Sequence, residues 1–386
     1  MKGISGLSAG VRQYLVITGN YWAFTLTDGA LRMLVVLHFH SLGYSPLQIA
    51  LLFLFYEFFG VVTNLVGGWV GARIGLNRTM NIGLGLQVLA LCMLLVPSAM
   101  LTVTWVMGAQ AVSGIAKDLN KMSAKSSIKF LFSGNLALEN EQGRLYKWVA
   151  LLTGSKNALK GVGFFLGGLL LTLLGFHDAV LAMVIVLALV WLASLVTLRQ
   201  DLGKAKSKPK FTTIFSKSSA INTLSLARLF LFGSRDVWFV VALPVYLSTT
   251  FGWDYWSVGG FLASWVIGYG IVQAFAPRFT GKSKGGVPDG KSAFGWAVAL
   301  LVVLVLIALA MIVDLRPGLT LTGGLLVFGA LFAVNSSLHS YLIVSYAAED
   351  RVSMDVGFYY MANAMGRFSG TLLSGWFCRG YGVFAF

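Results

Sequence analysis

The chain has 386 residues, of which 57% are hydrophobic and only 11% charged, with a mean hydropathy of +0.79. A soluble globular chain carries ~25% charged residues, so this composition excludes one and calls for a polytopic membrane protein. The formal net charge of +15 would suit a nucleic-acid binder, but the positions of the basic residues give it a different meaning.

Crossing the hydrocarbon core takes about 20 apolar residues. That window predicts eleven spans, near 14–39, 47–71, 79–97, 101–117, 147–174, 179–198, 220–249, 255–277, 293–313, 319–345 and 356–377. The first is too long for a cleavable signal peptide, carries Asp28 and Arg32, and lacks a small-residue cleavage site. Between spans 4 and 5, the stretch 118–146 is too polar to cross and reads as an amphipathic surface helix plus loop with no chemistry. After span 6 comes RQDLGKAKSKPKFTTIFSKSS (199–219), a basic, proline-containing linker. It divides the chain into a six-helix bundle (1–198) and a second bundle (220–386) of five full helices and a stub. VFAF, ending at Phe386, would only begin a twelfth span, which is therefore expected to be missing or truncated.

With the N-terminus in the cytoplasm, twenty-one of the 29 basic residues fall in loops on that side and only Arg316 and Arg379 on the other. The positive-inside rule thus orients the chain and absorbs most of its charge. Spans 1 and 7 each run into a similar outward turn, LGYS (42–45) and FGWD (251–254). A six-plus-six arrangement with a midplane site between the halves is the all-α architecture of the major facilitator superfamily.

Nine ionisable residues remain within spans: Arg32, Lys156, Lys160, Arg228, Arg235 and Arg367, with Asp28, Glu57 and Asp236. Each costs about 2.5–3.5 kcal/mol at a helix centre unless it faces water, a partner or substrate. All nine lie on spans 1, 2, 5, 7 and 11, whereas spans 3, 6 and 9 carry none, as suits helices facing lipid. The six cations form a candidate anion site, since guanidinium forks match phosphate and carboxylate. Asp28 and Arg32 share a helix face at i, i+4 and can pair; Asp236 can pair with Arg228 or Arg235. Lys156 and Lys160, also at i, i+4, would repel unless something anionic lies between them. Glu57 shares its span with no basic residue, so it is the first candidate for proton coupling, ahead of Asp28 and Asp236. Asn335 and His339 make span 10 polar midway and are expected to line the cavity. His38 and His40, at i, i+2, point to different faces and do not suggest a metal site. No cofactor is implied, and no nucleophile, metal or phosphate-loop constellation indicates an enzyme.

Four blocks carry a family resemblance: YWAFTLTDGALRMLVVLHFH (21–40), SGIAKDLNKMSAKSSIK (113–129), KWVALLTGSKNALKGVGFFLGG (147–168) and RDVWFVVALPVY (235–246). They resemble the organoarsenical efflux permeases (ArsJ-type) of the major facilitator superfamily, over nearly the whole chain. GGWVGARIGLNR (67–78) and GFFLGG (163–168) resemble generic superfamily motifs, with Ala72 at a usual Asp, Leu76 and Asn77 at basic positions, and Phe164 at a proline. The resemblance implies proton-coupled export of 1-arseno-3-phosphoglycerate across a bacterial inner membrane. It also implies a functional partnership with the glyceraldehyde-3-phosphate dehydrogenase that makes this anion from arsenate. The residues suit a polyanion and argue against carriage of trivalent arsenic, because thiols are limited to Cys92 and Cys378. Export of another organophosphate or small anion is the nearer alternative; a membrane enzyme or sensor is the more distant one.

Overall fold

The computed structural model describes residues 9–44, 48–49, 52–132, 138–198, 202–205, 209–216, 218–239, 242–280 and 288–381. Among these the chain is helical throughout: α1 (Ala9–Ser41), α2 (Leu54–Ile74), α3 (Leu76–Met93), α4 (Val103–Phe132), α5 (Leu138–Thr197) and α6 (Ser219–Phe239). The short α7 (Ala242–Thr249) follows, then α8 (Tyr255–Thr280), α9 (Gly290–Ile312), α10 (Pro317–Tyr346) and α11 (Val352–Tyr381). α5 is two rods meeting at Gly175, whose φ of 75° and ψ of −177° leave the helical region. Glycine tolerates that turn at no Cβ cost, so spans 5 and 6 join without a loop. Among the described residues, five helical stretches are long and apolar enough to cross a membrane by length and composition. α1, α2, α3, α4 and α11 pack into the same bundle but hold many of its buried polar residues.

One expectation about boundaries is corrected. Residues 118–132 are not a surface segment: α4 continues unbroken from Val103 to Phe132, burying Asp118, Asn120, Ser123, Lys125, Ser126 and Ser127. No glycine or proline follows Gly114 in this helix, and Asn120 and Ser127 return hydrogen bonds to the Ala116 and Ser123 carbonyls one turn back. Density of polar residues had suggested a loop, yet the polar side chains face other helices. Span 7 comprises α6 and α7, with residues 240–241 between them outside the described set. The last five residues, which include VFAF, also lie outside it.

The packing maps onto itself when helices are advanced by six places, counting the two rods of α5 separately and joining α7 to α6. α1 on α5 corresponds to α6 on α11; α2 on α4 to α8 on α10; α3 on α4 to α9 on α10. The contacts α5 on α8 and α2 on α11 exchange with each other, and so bridge the two sets of helices. Both close approaches depend on glycine. A Cβ at Gly154 would stand 2.5 Å from the Gly270 carbonyl and one at Gly270 2.6 Å from that of Gly154. Likewise, Gly68 faces the Ser353 carbonyl at 2.7 Å and Gly357 that of Asn64 at 2.6 Å. The glycines Gly154, Gly163 and Gly167 of α5 recur with identical spacing as Gly357, Gly366 and Gly370 of α11. The turns after α1 and α7 agree too, with φ of 84° at Gly43 and 67° at Gly252, as expected of glycine just past a helix end.

α9 buries only Ala293 and Leu300 among its residues, and the second rod of α5 exposes Leu181, Ile185, Val186, Leu189 and Leu192. These apolar faces suit contact with acyl chains. The described parts of the linker lie against one end of the bundle: Leu76 N donates to Leu202 O at 2.8 Å, Ala205 N to Ala72 O at 2.9 Å, and Trp69 Nε1 to Pro209 O at 3.0 Å.

Candidate functional site

The intramembrane charges converge where α1, α2, α4, α5, α6 and α11 meet, but their pairing differs from what single-helix spacing suggested. Arg32 does not turn back to Asp28; its guanidinium donates to Glu57 Oε1 at 3.0 Å and lies over the rings of Phe53 and Tyr56. Arg367, on α11, reaches the same Glu57 oxygen at 3.5 Å and Asp236 Oδ2 at 3.0 Å. Asp236 also accepts from Arg235 Nε at 2.6 Å. A continuous chain, Arg32 to Glu57 to Arg367 to Asp236 to Arg235, therefore crosses from α1 and α2 to α6 and α11. Glu57, expected to be the acid least tied to a local pair, is bridged by two arginines. Neither is on its own helix, which is why spacing did not show them.

Asp28 is buried; the Tyr56 hydroxyl donates to it at 2.7 Å and Lys160 lies 3.9 Å away. Arg228 leaves Asp236 to Arg235 and Arg367. It donates instead to Asn363 Oδ1 at 2.9 Å and to the Ser336 hydroxyl at 3.0 Å, with its guanidinium 4.0 Å from the centre of the Phe232 ring. Lys156 contacts Asn157 Oδ1 at 3.3 Å; Asn157 donates to Gln273, and Gln273 to Ser336, at 2.6 and 3.1 Å. A polar relay thus runs from α5 through α8 and α10 to Arg228. Arg32, Glu57 and Arg367 keep 25–30% of their side-chain surface exposed, so the ion-pair chain borders open space, whereas Asp236 and Arg228 are buried.

Sequence reasoning missed a whole row of this site. Lys117, Lys121, Lys125 and Lys129 recur every four residues on α4, one helix face, and had been assigned to a cytoplasmic loop. Lys117 Nζ stands 3.7 Å from the Tyr56 ring centre. Lys121 pairs with Asp118 at 2.6 Å. Lys125, 4% exposed, donates to Thr153 Oγ1 at 2.9 Å, and both Lys121 and Lys125 lie over the Tyr360 ring at 4.8 and 5.0 Å. The i, i+4 recurrence was the available signal.

Asn335 and His339 are buried on α10, and both polar atoms of the Asn335 side chain lack a hydrogen-bond partner among the described residues. His38 stacks on Phe176, with centroids 4.1 Å apart. Among the described residues no cluster of His, Cys, Asp and Glu could hold a metal ion. Cys92 is exposed; the Cys378 side chain is outside the described set. An apolar cleft of about 580 Å³, lined by Trp238, Leu243, Tyr246, Ile307 and Met311, contains none of the charged residues above.

A helical bundle of two corresponding sets, joined at glycine crossings and holding paired charges at the seam, has the build of a membrane transporter that alternates access to a central site. Residues 15–382 match the family model described as Major Facilitator Superfamily, and the chain belongs to that family. It is accordingly a multi-pass membrane protein that carries a small molecule as a secondary transporter, not an enzyme. Similar solved structures include the human organic anion transporter MFSD10 (TETRAN), with 14% identity, TM-score 0.73, and coverage of 98% of this chain and 96% of that one. A bacterial homologue of the iron transporter ferroportin, outward-facing with soaked iron, matches with 15% identity and TM-score 0.72 over 98% and 95% of the two chains. The proton:xylose symporter XylE bound to 6-bromo-6-deoxy-D-glucose matches with 12% identity and TM-score 0.71 over 96% and 91%. At these identities the likeness shows the fold alone. The search of curated proteins finds no match.

Proposed function

We propose that the protein exports a small organic polyanion, and specifically 1-arseno-3-phosphoglycerate, across a bacterial inner membrane with its N-terminus in the cytoplasm. The observation that carries this reading is the imbalance of charge at the seam. Arg32, Lys117, Lys121, Lys125, Lys156, Lys160, Arg228, Arg235 and Arg367 face only Asp28, Glu57, Asp118 and Asp236 among the described residues of the cluster. Such an excess in a low-dielectric setting favours an anionic occupant, and six of these cations are those assigned to substrate on sequence grounds. The choice of cargo rests on the sequence resemblance to organoarsenical permeases. The near absence of thiols accords with an oxyanion and not with thiolate-bound arsenic.

In this reading the halves 1–198 and 220–386 rock about the α5–α8 and α2–α11 crossings, with proton movement at Glu57, Asp28 or Asp236 providing the coupling. Export removes the acyl arsenate before it hydrolyses inside the cell, which confers arsenate resistance when the dehydrogenase supplies the cargo. Expression of the transporter together with that dehydrogenase should raise arsenate tolerance of a sensitive host, while either alone should not. Tolerance without the dehydrogenase would remove the cargo assignment. Counterflow of labelled 3-phosphoglycerate in vesicles, unaffected by arsenate, would point to an ordinary organophosphate.

A further inference from the structure

Most cations at the seam already have a carboxylate: Arg32 and Arg367 share Glu57, Arg235 and Arg367 share Asp236, Lys160 has Asp28 and Lys121 has Asp118. Two deeply buried ones do not. Lys125 and Arg228, each 4% exposed, meet only neutral groups among the described residues: Thr153 for the former, Asn363 and Ser336 for the latter. A buried charge without an opposite charge is among the costliest arrangements a protein can hold, and an ionisable residue kept inside the membrane without one is a candidate for function.

The two cations share one aromatic floor. Lys125 lies 5.0 Å from the ring centre of Tyr360 and Arg228 5.4 Å from that of Tyr359. These neighbouring rings are in edge contact with centroids 4.9 Å apart. Lys121 shares the Tyr360 face, and Lys156 is within electrostatic reach of Lys121 and Lys125. Beside them, the Tyr21 hydroxyl is buried and has no hydrogen-bond partner among the described residues, although it is within electrostatic reach of Tyr360 and Asp118. The cluster therefore holds an uncommitted donor as well as uncompensated charge.

We infer that Lys125 and Arg228, flanked by Lys121 and Lys156, with Tyr21 as a donor and Tyr359 and Tyr360 as floor, form the seat of a tetrahedral oxyanion. This is the phosphoryl or arsenoryl end of the transported anion. The inference rests on the anion-export reading and adds Lys121, Lys125 and the three tyrosines to the cations named from sequence. One charge comes from α4 and the other from α6, so an oxyanion here ties the two sets of helices together. The guanidinium of Arg228 and the ammonium of Lys125 are charge-assisted donors of the kind that bind phosphate strongly.

The test is the unfolding midpoint of the purified full chain in detergent, titrated with 3-phosphoglycerate, with inorganic phosphate, and with chloride as control. The wild type should gain stability with both phosphates and not with chloride. Lys125→Met and Arg228→Gln should each weaken apparent affinity about tenfold or more, while Lys125→Arg restores it. Without ligand, Lys125→Met should unfold at or above the wild-type midpoint, because an uncompensated charge has been removed; a purely structural lysine would shift it downward. A wild type that responds while Lys125→Met and Arg228→Gln respond equally would overturn the seat and leave anion export standing. A wild type that responds to neither phosphate would overturn anion export, and the seat with it.

Discussion

Two polar regions lie side by side in this bundle and balance their charge in opposite ways. From Arg32 through Glu57, Arg367 and Asp236 to Arg235, every cation meets a carboxylate, and the chain of pairs runs across α1, α2, α6 and α11. Around Lys125 and Arg228 the charges are buried among neutral donors, acceptors and rings. The first region can hold two sets of helices together with nothing bound. The second is satisfied only by something that arrives. A transporter needs both, because it must be stable when empty and still gain free energy on loading.

The contrast can be broken from the paired side first. Asp236 is fully buried between two arginines, so Asp236→Asn leaves Arg235 without a carboxylate and Arg367 with Glu57 alone, and should cost about 3–5 kcal/mol. Thermal unfolding in detergent should show a large loss of stability, and an unchanged midpoint would mean the pairs are not structural. Next in size is Gly270→Ala, which drives a methyl group into the backbone of α5 at Gly154 and Ala158. The overpacking should cost about 1–3 kcal/mol and should slow transport in reconstituted vesicles, since the proposed rocking of the halves turns about this crossing. Glu57→Gln should have the smallest effect on stability, about 1 kcal/mol or less, because the pair is part-exposed and screened. Its effect on flux should be much larger, at least about tenfold if the carboxylate carries a proton. Flux equal to the wild type would transfer that role to Asp28 or Asp236.

The layout was largely open to reading in the amino-acid sequence, and the wiring was not. Hydropathy places helices, and an ionisable residue within an apolar run is conspicuous, so Arg32, Lys156, Arg228 and Arg367 could be picked out from the chain alone. Pairing depends on which helices touch. Glu57 meets Arg32 from α1 and Arg367 from α11, separations that i, i+4 reasoning cannot reach. The lysines of α4 were hidden by the same hydropathy rule that revealed the others: where charged and hydroxyl residues crowd into one turn after another, mean hydropathy falls and the segment resembles a loop. The four-residue recurrence from Lys117 to Lys129 was the signal that could have shown it, and it was passed over. The α5–α11 correspondence was likewise present as matching glycine spacing, Gly154, Gly163 and Gly167 against Gly357, Gly366 and Gly370, but it gains meaning only once those glycines are seen at helix crossings.

The claim that ties these regions together is the cargo, and it is tested most directly in everted membrane vesicles, where export appears as uptake. Vesicles containing the transporter would be energised and supplied with arsenate, glyceraldehyde-3-phosphate, NAD and the dehydrogenase, and the arsenic retained would be measured against the same mixture lacking one component. Uptake that requires all of the components and the transporter is the predicted result. Equal uptake from arsenate alone, or retention no greater than in vesicles without the transporter, would contradict it.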